Sequence, residues 1–262
     1  MSTTNNSPKL SIVIVNYQTD DLVLDLLKGI KSNKLIEIIL VDNSSKNTLE
    51  KKLPCREDLH YLFTGENLGF SGGNNLGISK ARGEWLFLLN SDTVTNNSDI
   101  LRLLKTTINE KYLVSCPKLI RPNGTVQNNI GYFDKFFTNP TNKIFARPRL
   151  INCTNISENT PVDLLTGTAM LIHKSVFEKI GYLDDKNFFM YFEDIDFSYR
   201  LYKTRIKALY CPGVKIIHLG GASSNQNSMQ KNKNYQHGLQ MYLKKHRGIV
   251  INYINNVFHL FS

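Results

Sequence analysis

Residues 10–17 read Leu-Ser-Ile-Val-Ile-Val-Asn-Tyr, and residues 85–92 read Trp-Leu-Phe-Leu-Leu-Asn-Ser-Asp. Each is a nearly unbroken apolar run, rich in β-branched or aromatic residues, that stops abruptly at polar side chains. Apolar residues at almost every position predict a strand buried on both faces, as in a parallel sheet. Residues 36–41 (IEIILV) and 59–63 (LHYLF) predict two more strands between them. Thr19 or Asp20 can cap a helix with Leu22, Leu26, Leu27 and Ile30 on one face. A second helix is expected over residues 71–82, opened by Gly72 and Gly73. This alternation implies a parallel sheet with helices on both faces.

The later chain is mixed. Helices are expected over residues 98–109, 174–180 and 193–203. Strands are expected over residues 163–173, 206–210 and 215–219. The Pro122-Asn123-Gly124 turn signal inside residues 117–131 predicts a hairpin. Residues 131–160 lack a clear period and suit a surface loop or flap. One or two amphipathic helices are expected within residues 230–260. There is no internal repeat, so the expectation is one domain over residues 1–229 with a basic helical appendage over 230–262.

The chain has 262 residues, 41% of them hydrophobic and 21% charged, as in ordinary globular proteins. Its net charge of +10 is unevenly spread. Residues 1–199 hold 22 basic and 22 acidic side chains, whereas residues 200–262 hold ten basic ones and no carboxylate. Such asymmetry suggests an anionic partner. No window approaches the roughly 18 apolar residues of a membrane span, and residues 1–9 lack the apolar segment of a secretory signal. Cys55, Cys116, Cys153 and Cys211 have no zinc or redox spacing, so reduced thiols of a cytosolic protein are expected.

In an open parallel sheet, ligands bind beyond the carboxyl ends of the strands. Asn16 and Tyr17 follow the first strand, and Asp42 to Ser45 the second. The glycine-rich segment 65–75 follows the third, and Asn90-Ser91-Asp92 the fourth. One Asp after one strand is ordinarily a turn; four such ends together indicate a site. The glycine-rich segment lacks both GxGxxG and the P-loop pattern. It does contain Gly69-Phe70-Ser71-Gly72-Gly73, which reads as GxSxG. A serine hydrolase using Ser71, Asp194 and His218 is therefore a rival reading, weakened by the polar residues between the strand and Ser71. A second rival is a nucleic-acid-binding protein using the basic tail, although that tail carries no recognisable motif.

Asp92, at a strand end, is the type of group that holds a hard divalent cation. His218, near the end of KIIHL, becomes a plausible second ligand if it reaches the same edge. Glu193, Asp194 and Asp196 follow five apolar or aromatic residues, Phe188 to Phe192. Burial and like-charge neighbours raise a carboxylate pKa, whereas a helix N-terminus lowers it. The sequence leaves the sign of the sum open.

In chain order, the strings SIVIVNY, ILVDNSS, ENLGFSGGNNLGI, LFLLNSD, LLTGTAMLIHKSVFEKIGYLDD, FFMYFEDIDFSYRL and IIHLGG span residues 11–221. Together they resemble the inverting family 2 glycosyltransferases, especially rhamnosyltransferase-like members of bacterial surface-polysaccharide (O-antigen type) synthesis. The resemblance implies a GT-A fold, a Rossmann-like α/β mixed sheet flanked by helices. It implies that Asn16, Tyr17 and Asp42 hold the nucleotide, and that Asn67, Gly69, Gly72 and Asn74 line its pocket. Asn90-Ser91-Asp92 takes the place of the family's DxD motif. Asp92 and His218 are then the ligands of Mg²⁺ or Mn²⁺, while Asn90 departs from the first Asp and brings no charge. Asp194 is the implied catalytic base, with Glu193, Thr166 and Gly167 on the acceptor side. The implied partners are a nucleoside-diphosphate sugar (dTDP-rhamnose or a UDP-sugar) and a lipid-linked glycan, with no nucleic acid.

Residues 235–261 interleave apolar side chains with Lys244, Lys245 and Arg247. A basic amphipathic helix can lie on an anionic bilayer, each basic residue contributing about 1 kcal/mol. It can equally pack on the body with its basic face in water. The first alternative suits a cytoplasmic enzyme held at the inner face of the cell membrane.

Overall fold

The computed structural model describes residues 7–133, 148–220 and 228–247. Strand β1 (Leu10–Asn16) lies in the middle of the parallel part of a large sheet. It pairs in parallel with β2 (Ile36–Asp42) and β4 (Trp85–Leu89), and β2 pairs in parallel with β3 (Leu59–Phe63). The β1–β2 register runs from Leu10 opposite Ile36 to Asn16 opposite Asp42, so the two polar strand ends meet side by side.

The burial of β1 follows from the period of two along a strand. Leu10, Ile12 and Ile14 enter one core with helices α1 (Asp20–Gly29) and α3 (Asn97–Asn109). Val13, with Ile39 and Val41, enters the core on the other face. Helices α2 (Gly69–Lys80), α4 (Lys174–Ile180) and α5 (Glu193–Lys203) bring Ile78, Val176, Phe177, Phe197 and Leu201 to that second core. Burial of each such aliphatic or aromatic side chain contributes roughly 1.5–3 kcal/mol.

Beyond β4 the sheet becomes mixed, as the GT-A resemblance implies. Strands β5 (Thr93–Val94), β6 (Val114–Ile120), β7 (Val126–Gln127), β8 (Ile130–Tyr132), β9 (Arg149–Leu150), β10 (Thr160–Val162), β11 (Leu164–Leu165), β12 (Ala169–His173) and β13 (Ala208–His218) complete the described set. Strand β12 runs antiparallel between β4 and β6, and β13 is parallel to β6. The spatial order is β10-β13-β6-β12-β4-β1-β2-β3, with β5 on β13 and β7 on β6; β11, β8 and β9 form a small second sheet.

The expected hairpin is present as β6–β7, turning through Gly124 at φ 82°. Three expectations are corrected. The single strand over 163–173 is two, because Thr166 bonds to Asn129 and Asn90 to Thr168 across the break. The two strands of 206–219 are one, β13, which absorbs Pro212 and Gly213 as a register shift between Cys211 and Lys215. Thr19 occupies the N-cap position of α1 but does not cap it; its hydroxyl donates to Asn16 Oδ1 at 2.8 Å.

Helix α6 (Ser228–Arg247) packs on the body. Leu239, Tyr242 and Leu243 join Phe133, Leu164, Phe188, Phe192 and Tyr199 in a third apolar cluster. Lys245 Nζ lies 2.7 Å from both Asp184 Oδ2 and Asp196 Oδ1, and His246 Nε2 lies 2.6 Å from Asp196 Oδ1. The apolar stripe expected to meet a bilayer is, over these residues, consumed inside the protein. Residues 248–262, the rest of the expected amphipathic segment, lie outside the described residues, as do 134–147 of the expected flap.

Candidate active site

The carboxyl ends of β1, β2 and β4 and the N-terminus of α2 enclose a narrow cleft of 60 Å³. Tyr17, Asn43, Asn67, Gly69, Asn90 and Asp92 are among its walls. Asn74 lines it too, its amide anchored on the Phe70 carbonyl at 2.9 Å. Phe70, Asn90, Asp92 and Met190 are shared with a wider cavity of 280 Å³. There Thr166, Gly167, Glu193, Asp194 and His218 gather from three distant parts of the sequence. A polar groove of 750 Å³ continues outward past Thr19 toward Ser44, Lys46 and Lys52.

Asn16 and Asp42 are placed differently from the expectation. Both are fully buried and line none of these spaces. Asn16 Nδ2 donates to Asp42 Oδ1 at 2.9 Å, and the Ser44 amide and Tyr61 hydroxyl also donate to that carboxylate. The pair ties strand end to strand end and holds up the floor on which Tyr17, Asn43 and Ser44 stand. Beside them, Asn43 Nδ2 donates to the Gly69 carbonyl at 2.9 Å, and Asn43 Oδ1 is buried without a partner.

The glycine-rich segment is mostly helix, beginning at Gly69. Gly69 has φ +74°, and a Cβ there would stand 2.4 Å from the Phe189 carbonyl oxygen. Gly73 and Gly77 bring α2 against Val15 and Val13 of β1. Gly72 sits on the first turn without lining the cleft. Ser71 is fully buried inside the helix and its hydroxyl has no partner, so it has no base to activate it. Neither cavity touches it, and the hydrolase reading fails on that geometry.

Asp92 lies just beyond β4, and His218 ends β13. The β13–β5 pairing brings them together, with His218 Nε2 at 3.3 Å from Asp92 Oδ1. The Leu219 amide donates to the Asp92 carbonyl at 2.8 Å. His218 Nδ1 is 2.8 Å from Gln127 Oε1. That amide oxygen accepts from Nδ1 and orients the ring, which leaves Nε2 as the ring nitrogen that faces Asp92. Gln127 gave no signal in the sequence; only the β6–β7 hairpin reveals its role. A carboxylate and an imidazole nitrogen suit Mg²⁺ or Mn²⁺, with substrate phosphates and water as remaining ligands. Among the described residues, no group of three or more His, Cys, Asp or Glu side chains could hold a metal by itself.

Glu193 and Asp194 open α5 behind two residues in the left-handed region, Tyr191 (φ 72°) and Phe192 (φ 71°). Such backbone costs about 1–3 kcal/mol per residue and persists only where its surroundings hold it. Here Phe192 is buried against Tyr235 and Tyr242 of α6. A Cβ at Gly238 of the same helix would come within 2.8 Å of the Tyr191 carbonyl.

Asp194 Oδ2 accepts the Gly167 amide at 2.9 Å, and Oδ1 the Ile195 amide at 2.8 Å. Burial raises the Asp194 pKa, and those two amides oppose the rise. Burial raises Glu193 further, reinforced by the charge of Asp194, and Glu193 Oε2 has no partner. The sign left open by the sequence is therefore upward for both. The two amide donors favour the anion of Asp194, whereas Glu193 Oε2 has no such donor. Asp196, the third carboxylate, turns away from the cavity to Arg200, Lys245 and His246.

This arrangement is that of a nucleotide-sugar transferase fold. The structure is similar to that of GalNAc-T7 with UDP, GalNAc and Mn²⁺ (TM-score 0.59, 19% identity, covering 82% of this chain and 44% of that one). It is also similar to S. aureus TarS 1–349 (TM-score 0.57, 15% identity, 91% and 73% covered). The chain belongs to glycosyl transferase family 2, whose family model matches residues 11–181. Among its relatives is the low-salt glycan biosynthesis hexosyltransferase Agl10 of Haloferax volcanii, 34% identical over 215 residues, which are 80% of this chain and 66% of that protein. The rhamnosyltransferase WbbL of Escherichia coli is 26% identical over 220 residues (79% and 82% covered). The N-acetylglucosaminyl-diphospho-decaprenol L-rhamnosyltransferase of Mycobacterium tuberculosis is 25% identical over 237 residues (80% and 75%).

Proposed function

We propose that this enzyme transfers a hexose, with rhamnose the first candidate, from dTDP-rhamnose or a UDP-sugar to a hydroxyl of a lipid-linked glycan, inverting the anomeric centre. The observation that carries the reading is the single cavity shared by Asp194, Asp92 and His218. Asp194, its charge held by two backbone amides, removes the acceptor proton. Protonated Glu193 donates to an acceptor oxygen, and the unpartnered hydroxyl of Thr166 is a second buried group for it. Tyr17, Asn67, Asn74 and Asn90 bound the donor side. Attack from the face opposite the nucleotide needs no protein nucleophile. Asp92 and His218 would hold Mg²⁺ or Mn²⁺, which when bound neutralises the charge of the departing diphosphate. Two relatives are named for rhamnosyl transfer, one of them to a sugar on diphospho-decaprenol, and this supports the donor and acceptor classes.

A lipid-linked acceptor brings with it a cytoplasmic enzyme at the inner face of the membrane, serving synthesis of a surface polysaccharide. Among the described residues no helix is long and apolar enough to cross a membrane. Full-length protein should co-sediment with anionic vesicles and not with neutral ones; equal behaviour with both removes this part of the reading.

The central test is a thermal-shift panel of nucleotide sugars with Mn²⁺ or with chelator. One member should raise the melting temperature with Mn²⁺ only, and no metal-dependent shift for any member overturns the assignment. Asp194→Asn should keep that shift while transfer falls about 10²–10⁴-fold.

A further inference from the structure

The catalytic cavity also receives a side chain from outside the segment matched by the family model. Lys231, on the first turn of α6, lines the 280 Å³ cavity together with Asp194, Glu193 and His218. No other lysine or arginine among the described residues lines this cavity or the adjoining cleft. Three carboxylates share the space, yet none of the ion pairs among the described residues includes Lys231. Lys245, further along the same helix, is by contrast engaged by two aspartates. The anchored helix thus brings to the cavity wall a lysine that no ion pair among the described residues engages. A lysine held in this way is a point-charge ligand for phosphate.

Lys231 stands with Thr166, Gly167 and Tyr191, and it does not line the cleft of Tyr17, Asn43 and Asn67. We infer that Lys231 binds a phosphate carried by the acceptor, close to the hydroxyl that reacts. The inference rests on the glycosyl-transfer reading and sharpens its substrate.

The test is calorimetric titration of the full chain, wild type and Lys231→Met, with two probes. The first is inorganic pyrophosphate in chelator, and the second is UDP or dTDP with Mn²⁺. Pyrophosphate affinity should fall about tenfold in Lys231→Met, as expected for loss of one charge-assisted contact, and return in Lys231→Arg. Nucleotide affinity should stay within about twofold in both variants. Unchanged pyrophosphate binding in Lys231→Met, or none in the wild type, overturns the inference. A tenfold loss of nucleotide affinity instead assigns Lys231 to the donor diphosphate and overturns the acceptor assignment. Absence of nucleotide binding with Mn²⁺ in the wild type refutes the transferase reading itself, a distinct result.

Discussion

Glu193 holds a buried carboxylate oxygen with no hydrogen-bond partner, next to a neighbour that keeps its charge. Its pKa is raised in the folded protein by burial and then by Asp194. The folded state therefore binds this proton more tightly than the unfolded chain does. The associated stability is full below the ordinary Glu value of about 4.3 and is lost as pH rises through the folded value. Glu193→Gln should accordingly melt higher than wild type at pH 8, with the gap closing near pH 4; a gap independent of pH would contradict the account. Gln127 offers a second test at this scale. Gln127→Ala frees the His218 ring to take either tautomer, so Mn²⁺ affinity measured by calorimetry should weaken about 10–100-fold. The aspartates and histidine of the site were legible because they close strands or open helices. Gln127 was not, because nothing in residues 126–127 distinguishes a hairpin glutamine from any other surface amide. Asp42 misled for a related reason. Its position at a strand end is right for a ligand, but three donors within the protein already claim its carboxylate.

At the scale of elements, the strands of the parallel half were legible almost to the residue, since burial on both faces leaves an unbroken apolar run. The division of 163–173 into β11 and β12 was not. It depends on carbonyl and amide partners at Asn129 and Asn90 that are remote in sequence. Helix α6 was legible as amphipathic, but what its apolar stripe meets is a tertiary fact. Asp196 is fully buried, and although burial raises its pKa, His246, Arg200 and Lys245 outweigh that and hold it below the ordinary value. The latch it forms is present above the ordinary Asp value of about 3.9 and is lost as pH falls through the lowered one. Removing it by Asp196→Ala should destabilise the protein by about 3–5 kcal/mol in urea unfolding at pH 7, because Arg200 and His246 lose their carboxylate partner and Lys245 keeps only Asp184. Leu243→Ala, which leaves the charges alone, should cost about 2–5 kcal/mol. A near-zero effect of both would mean that α6 is not part of the folding unit.

At the scale of the whole molecule, the excess of positive charge in residues 200–262 is only partly a surface property. Arg200, Lys245 and His246 are spent on Asp196, and Lys231 enters the cavity. A chain cut after residue 227 would expose Phe188, Phe192, Tyr199 and Leu164 to water. It should melt at least several degrees lower than the full chain and bind a hydrophobic dye, and full retention of stability would refute the packing described.

The left-handed pair Tyr191–Phe192 gives this dependence a place in time. Everything that the family model matches, and both carboxylates after it, is synthesised before residue 228 is added. The two strained residues that aim Glu193 and Asp194 acquire the packing of Gly238, Tyr235 and Tyr242 only afterwards. A nascent chain stalled short of α6 would carry Glu193 and Asp194 without that packing, so the contacts that aim both carboxylates are supplied by the last part of the described chain to be synthesised.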